Sequence, residues 1–174
     1  MHLNDLQLAG AVFTLIVGTL LHFTYAWWGK NGLIGVFSAT NESTWEHLKL
    51  LAMPLLLFGL IEYFIRGKGI ANFIPVKALS LFLGMGTIVI LFYTYVGIVG
   101  KHFLWADIGT FVLGVLAAYT YSAALLDTPH FSSHCAIRLG WIGLLVVFAS
   151  FAVFTFFPPP IGLFLDPVSH RYGR

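Results

Sequence analysis

The chain has 174 residues and only sixteen charged side chains, nine basic and seven acidic, or 9 % of the sequence against roughly 25 % in an ordinary soluble domain. With 59 % hydrophobic and 17 % aromatic residues and a mean hydropathy of +0.89, nearly every stretch long enough for a helix would expose apolar surface to water, which excludes a soluble fold and points to a bilayer. A net charge of +2 on so sparse a basic background leaves no patch for nucleic acid, and the single cysteine, Cys135, permits no internal disulfide.

A hydrocarbon core takes about 20 apolar residues per helix. Five windows of that length, bounded by charge, proline or glycine, run approximately over 8–28, 45–65, 78–97, 108–126 and 139–157. Short loops make neighbouring spans antiparallel, so residues 1–174 are predicted to form one all-α, polytopic membrane bundle. Pro158, Pro159 and Pro160 stop the last span and start a C-terminal arm over 158–174, expected to be extended, with Phe164 placed to plug the bundle mouth.

The first window has no Lys or Arg in its flank, Met1 to Gln7, and no small-residue cleavage site after it, so it reads as a retained span. Tyr25, Trp27 and Trp28 at its end suit the interfacial aromatic belt. Five spans put the termini on opposite faces, and basic loop residues choose the orientation. One face collects Arg66, Lys68, Lys77 and Arg138; the other has Lys30 and Lys101 in loops, with Arg171 and Arg174 on the tail. Loops alone favour a cytoplasmic N-terminus and an outside C-terminus in a cell membrane, and the tail makes the count a tie.

Polar side chains gather on the face assigned as outer: His22, Asn41, Glu42, Ser43, Glu46, His47, Lys49, Lys101, His102, Asp107, Asp166 and His170. Ionisable groups inside a span cost about 2.5–3.5 kcal/mol each on insertion scales, so they are kept for pairing, ligand binding or transport. The centre is the run from Asn41 to Lys49. Helical spacing stacks Glu42, Glu46 and Lys49 on one face and turns His47 about 100° aside. His22 lies six residues before Trp28 and Lys49 six after Ser43, each roughly 9 Å in from the interface. In antiparallel neighbours His22 therefore meets Glu46, His47 or Lys49 at one level. Ser43 and Glu46 also read as a capping box, and Lys49 either pairs with Glu46 or snorkels back to the interface.

The run Asn41-Glu42-Ser43-Thr44-Trp45-Glu46-His47-Leu48-Lys49, preceded by a histidine near the end of the first span and followed by Glu62 near the end of the second, resembles the signature of an uncharacterised family of small bacterial integral membrane proteins, a domain of unknown function. The similarity extends over Pro158 to Pro167 and to Tyr172-Gly173. It supplies no activity. It implies that His22, Asn41, Glu42, Trp45, Glu46, His47, Lys49, Glu62 and Asp166 are the family's recurrent positions here.

Other polar residues have plainer readings. Glu62, about 24 Å along the axis from Glu46, is placed to pair with Arg66 four residues on, or to act as a proton or cation stop on the far side. Pro54 between them kinks the span and frees a carbonyl, or is tolerated as packing. Asp166 before Pro167 is a turn or a ligand. Asp107 caps the fourth span, with His102 beside it. His130 and His134, spaced H-x-x-x-H beside Cys135, fall in what reads as a loop. Gly84 and Gly86 are close-packing positions. No nucleophile elbow, P-loop, H-E-x-x-H or C-x-x-C occurs.

Three functions follow. In a metal-dependent hydrolase acting on an amphiphile, His22 and His47, with Glu46 or Asp166, hold a divalent metal such as zinc and leave a position for water. Glu46 and Lys49 are then the catalytic pair, Lys49 stabilising an oxyanion, while Asn41, Glu42 and Trp45 face the substrate. In a binding or transport protein the same pocket takes a solute or lipid headgroup and Glu62 is the far gate. Five spans are few for a solitary transporter, so a homo-oligomer or a larger membrane complex is expected. The third function is a b-type haem between His22 and His47.

Overall fold

The computed structural model describes residues 2–173; Met1 of the N-terminal flank and Arg174 of the basic tail lie outside the described residues. The helices are α1 (Leu3–Trp27), α2 (Gly32–Phe37), α3 (Thr44–Ile65), α4 (Phe73–Val99), α5 (Leu104–Leu125) and α6 (His134–Phe156). All but α2 are long and apolar enough to cross a membrane. Four of these five begin four or five residues before their hydropathy windows. Apolarity finds the middle of a span, whereas the helix starts where its first N–H groups can be satisfied. The start of α6 has such a cap: Ser133 Oγ accepts from the Ala136 N–H at 3.1 Å. His134 is thus helical while His130 stays in the loop.

α2 was not foreseen. Its six residues are capped by Asn31, whose Oδ1 accepts from the Leu33 N–H at 2.8 Å, and it lies at one end of the bundle against α6 and α1. Tyr25 is buried beside Gly35 and so leaves the expected belt, whereas Trp27 and Trp28 are exposed, as the belt requires.

α1 packs on α3 and α5, and α4 on α5, α6 and α3. The most enclosed of the five spans is α3, with Leu48, Leu51, Ala52 and Leu55 at the centre of the apolar core. Leu8, Ile90, Trp105 and Leu145, by contrast, stand exposed on the outer faces, where lipid is the natural contact. Two glycine contacts set the spacing. A Cβ at Gly84 would lie 2.9 Å from the Gly114 carbonyl oxygen, and one at Gly114 equally close to that of Gly84, so α4 and α5 meet backbone to backbone. At Gly18 a Cβ would collide with the Leu50 carbonyl oxygen. That carbonyl has no helical donor, because the residue four positions on is Pro54. α3 runs unbroken through Pro54, and the α-carbon of Gly18 closes over the freed oxygen, a close approach of the kind that supports a Cα–H···O contact.

The C-terminal arm is extended only at its prolines. A short 3₁₀ turn, Gly162–Phe164, sets the Phe164 ring 4.9 Å from that of Trp45 and 5.2 Å from that of Phe154. Phe164 is buried there as a plug. Beyond it the arm closes on itself through an antiparallel bridge between Leu165 and Tyr172, and Asn41 Nδ2 donates to the Gly173 carbonyl at 2.8 Å.

Candidate functional site

α1 and α3 run antiparallel in one register: His22 meets His47, and fifteen residues along each helix Gln7 meets Glu62. The contact of Gly18 with Leu50 lies four residues from His22 and three from His47, so it fixes how close the two imidazoles come. Their Nε2 atoms are 3.3 Å apart. Glu42 completes the group, its Oε2 lying 3.6 Å from His22 Nε2 and 3.4 Å from His47 Nε2.

Glu42 was expected to stack with Glu46 and Lys49, and the structure turns it to the histidine side. It precedes the helix: the N-cap Ser43 has extended backbone (φ −68°, ψ 150°), so helical spacing does not reach back to residue 42. The partner of the two histidines is therefore Glu42 and neither Glu46 nor Asp166, and among the described residues this is the one cluster of His, Cys, Asp and Glu spaced to hold a metal ion.

The chemistry of the donors fits a metal. Zinc bonds to nitrogen and oxygen are about 2.0–2.1 Å long, so adjacent ligand atoms of a tetrahedral site are about 3.3–3.4 Å apart. Two of the three observed separations match an edge of such a tetrahedron and the third, His22 to Glu42 at 3.6 Å, is slightly longer; the fourth corner is unassigned. His47 Nδ1 lies 3.0 Å from the Ser43 carbonyl, an acceptor, so this nitrogen carries the proton and Nε2 presents its lone pair to the cluster. Hydrogen bonding from His22 holds the Glu42 carboxyl below the usual carboxylate range, aided by the charges of His47 and His22 against burial and nearby Asp166. A haem iron would hold two axial nitrogens about 4 Å apart across the porphyrin, wider than the 3.3 Å between the two Nε2 atoms here.

Glu46 and Lys49 form the buried layer beneath. Lys49 is fully buried and pairs with Glu46 at 2.7 Å. Its other donors go to the Gly35 carbonyl at 2.8 Å and to Thr155 Oγ1. All three ammonium hydrogens are thereby engaged, tying α2, α3 and α6 together and leaving none for an oxyanion. The same Glu46 oxygen accepts from the N–H and hydroxyl of Thr40, at 2.8 and 2.9 Å. The capping box is therefore half-formed: Ser43 Oγ accepts from the Glu46 N–H at 3.4 Å, but the carboxylate goes to Thr40 and the Ser43 N–H goes to Asn41 Oδ1 at 2.9 Å.

The remaining candidates hold the loop that carries Glu42. Asn41 spans Ser43 and Gly173. Asp166 organises a turn, its two oxygens accepting from the Val168 N–H at 2.8 Å and the Ser169 hydroxyl at 2.7 Å. Burial raises its pKa, but these bonds, with the N–H groups of Ser169 and Glu42, leave it below the ordinary value. Trp45 stacks among Phe151, Phe154 and Phe164, so its ring is packing for the arm.

At the opposite end of the bundle lies a layer that hydropathy windows missed. Glu62 pairs with Lys77 at 2.6 Å and accepts from Gln7 Nε2. Lys77 also donates to Gln7 Oε1 at 3.0 Å and Ser122 Oγ at 2.9 Å, and all four side chains are buried. Lys77 therefore lies inside α4, buried and paired, and the basic residues left in loops are Arg66 and Lys68 against Lys30 and Lys101, with Arg138 exposed near the start of α6. Gln7 and Lys77 each stand one residue outside a predicted window, which is the only signal they gave. Asp107 also differs from expectation: α5 is capped at Phe103, and Asp107 accepts from Tyr95 OH and lies 3.0 Å from His102 Nδ1.

Helices, register and polar layers together define a helical protein with five membrane-competent spans and a His-Glu-His cluster at one end. The chain belongs to a family of unknown function (DUF6512), which matches residues 2–174. No curated protein and no solved structure matches it significantly.

Proposed function

We propose that the protein is a multi-pass membrane protein holding one divalent transition-metal ion, such as zinc, at His22, Glu42 and His47. The open fourth position would carry a water whose lowered pKa allows hydrolysis of an amphiphilic substrate at the membrane surface. The donor triangle carries the reading: two imidazole nitrogens and one carboxylate oxygen at 3.3, 3.4 and 3.6 Å, with His47 held in the ligating tautomer by Ser43. Glu46 and Lys49 act as positioning residues for the Glu42 loop through Thr40, and Asp166 steadies that loop from the arm. On this reading the run from Asn41 to Lys49 is the stretch of the family's sequence that builds the site.

Elemental analysis of the purified protein after zinc loading tests it. About one metal per chain is expected, lost in His22→Ala, Glu42→Ala and His47→Ala, with any ester hydrolysis abolished by a chelator and restored by zinc. A metal content equal in the wild type and in a His22→Ala/His47→Ala double variant sinks the proposal and leaves the trio a hydrogen-bonded network. Counting Arg138 with the loops and leaving out the tail places the site outside, so a cytoplasm-dependent reporter fused after Arg174 should stay silent; an active fusion reverses the orientation.

Solute binding or transport is the second reading, supported by the Gln7, Glu62, Lys77 and Ser122 layer at the far end. Two polar layers on opposite sides of an apolar core suit a gated path, run by an oligomer or a larger complex. Flux in proteoliposomes that Glu62→Gln abolishes while metal binding persists would favour it over hydrolysis.

A further inference from the structure

A cavity of about 220 Å³ opens beside the donor triangle, with His22 and Glu42 in one wall and Tyr25, Lys30 and Asn41 around it. Its polar lining is mostly spoken for: both ends of the Asn41 amide are engaged, and the Thr40 hydroxyl is given to Glu46. The Tyr25 hydroxyl and Lys30 are the exceptions. Lys30 is exposed, and its ammonium makes no contact among the described residues.

Lys30 also reaches the cavity from a strained backbone. α1 ends in two successive left-handed residues, Gly29 (φ +63°) and Lys30 (φ +59°), closed by N–H bonds from Gly29 to the Ala26 carbonyl at 3.2 Å and from Lys30 to that of Tyr25 at 2.9 Å. Glycine adopts this conformation freely and an L-residue at a cost. Asp127, Phe131 and His170 share this conformation, and Lys30 is the one of the four that lines the cavity. The depth is that of headgroups, because Trp27 and Trp28 are exposed next in the chain.

We propose that this cavity is a phosphate subsite, in which Lys30 and the metal grip the phosphoryl group of an anionic ligand. The inference rests on the metal reading above. A divalent ion and an ammonium, against the carboxylates of Glu42 and nearby Asp166, leave the cavity net positive, so it selects an anion. Its volume equals that of about seven waters, room for a tetrahedral phosphoryl group that gives one oxygen to the metal, in place of the water there, and another to the lysine. Lysine serves such groups as a compact point charge. The phosphate could belong to a lipid monoester or be free, and the two sources are separable.

The full chain in zwitterionic nanodiscs, loaded with zinc, is titrated with inorganic phosphate, and phosphatidic acid vesicles are then added as competitor. Wild type should bind phosphate, Lys30→Gln at least tenfold more weakly with unchanged zinc affinity, and Lys30→Arg nearly as well as wild type. Lys30→Gly should also lose phosphate while melting at a higher temperature, because the strain is relieved. Competition by phosphatidic acid assigns the lipid headgroup as source, and phosphate binding without competition assigns free phosphate; both support the subsite. Equal phosphate binding with and without Lys30 in zinc-loaded protein overturns the subsite and leaves the metal site standing. A protein that takes no zinc overturns both.

Discussion

The two ends of the bundle carry the same chemical unit in different settings. Each has a buried lysine paired with a glutamate of α3, Lys49 with Glu46 and Lys77 with Glu62, and each ammonium has two further acceptors. At the Lys77 end every partner is a buried side chain, so the network closes on itself. At the Lys49 end Glu46 passes on to Thr40, the root of a loop whose next residues, Asn41 and Glu42, reach the surface and the histidines. The pair alone does not distinguish fold from function; what its carboxylate touches next does.

The largest test of that contrast is to cut each pair in half. Lys77→Met strands Glu62 without a countercharge and should cost on the order of 3–5 kcal/mol in unfolding from mixed micelles, most of it recovered in Lys77→Met/Glu62→Met. Lys49→Met should cost a similar amount and, in the folded fraction, also weaken zinc binding, which Lys77→Met should leave alone. If both variants bind zinc as wild type does, the two ends are equivalent and the contrast fails. Zinc at a hundredfold over its dissociation constant should add about 2.7 kcal/mol; this gain should vanish in His47→Ala and persist in Ser122→Ala.

Gly18→Ala comes next. Its methyl meets the Leu50 carbonyl, and overpacking of this kind costs about 1–3 kcal/mol, with a loss of zinc affinity as His22 is pushed from His47. Gly86, where an added Cβ meets nothing within 4 Å, is the control: Gly86→Ala should gain up to about 1 kcal/mol. The smallest effect is expected at Asp166. Its folded pKa lies below the ordinary aspartate value, so its contribution is fully present above that ordinary value and fades as pH falls through the depressed one. Asp166→Asn should flatten the acid limb of the stability profile and leave neutral stability nearly unchanged; an unaltered acid limb would refute the turn's electrostatic role.

Much of the architecture was legible because a span announces itself by apolar length alone. The level at which His22 meets the start of α3 was legible too, since depth along antiparallel helices is simple counting, but counting left Glu46, His47 and Lys49 all open as its partner. Lys77 and Gln7 were not, because a window chosen for apolarity stops short of the polar residue at its margin, although the helix does not. Glu42 was misplaced for a related reason: the 100° rule holds within a helix, and Ser43 is not yet in one. α2 escaped because six residues give too short a period, and the arm's folded end depends on Asn41 and Asp166 contacting residues distant in sequence or turning the chain back.

One dimension of α3 bears on the membrane itself. Glu46 and Glu62 are sixteen residues, hence about 24 Å, apart along this helix, while the hydrocarbon slab is about 30 Å thick. Centred and upright, the helix puts each carboxylate about 3 Å inside the oily boundary, and tilt sinks both further. Neither can be rescued by water when the slab thickens, so each carries its own counterion within the protein. The pairs thus let one helix tolerate hydrophobic mismatch, and a protein lacking either lysine should depend on thin bilayers that its parent does not need.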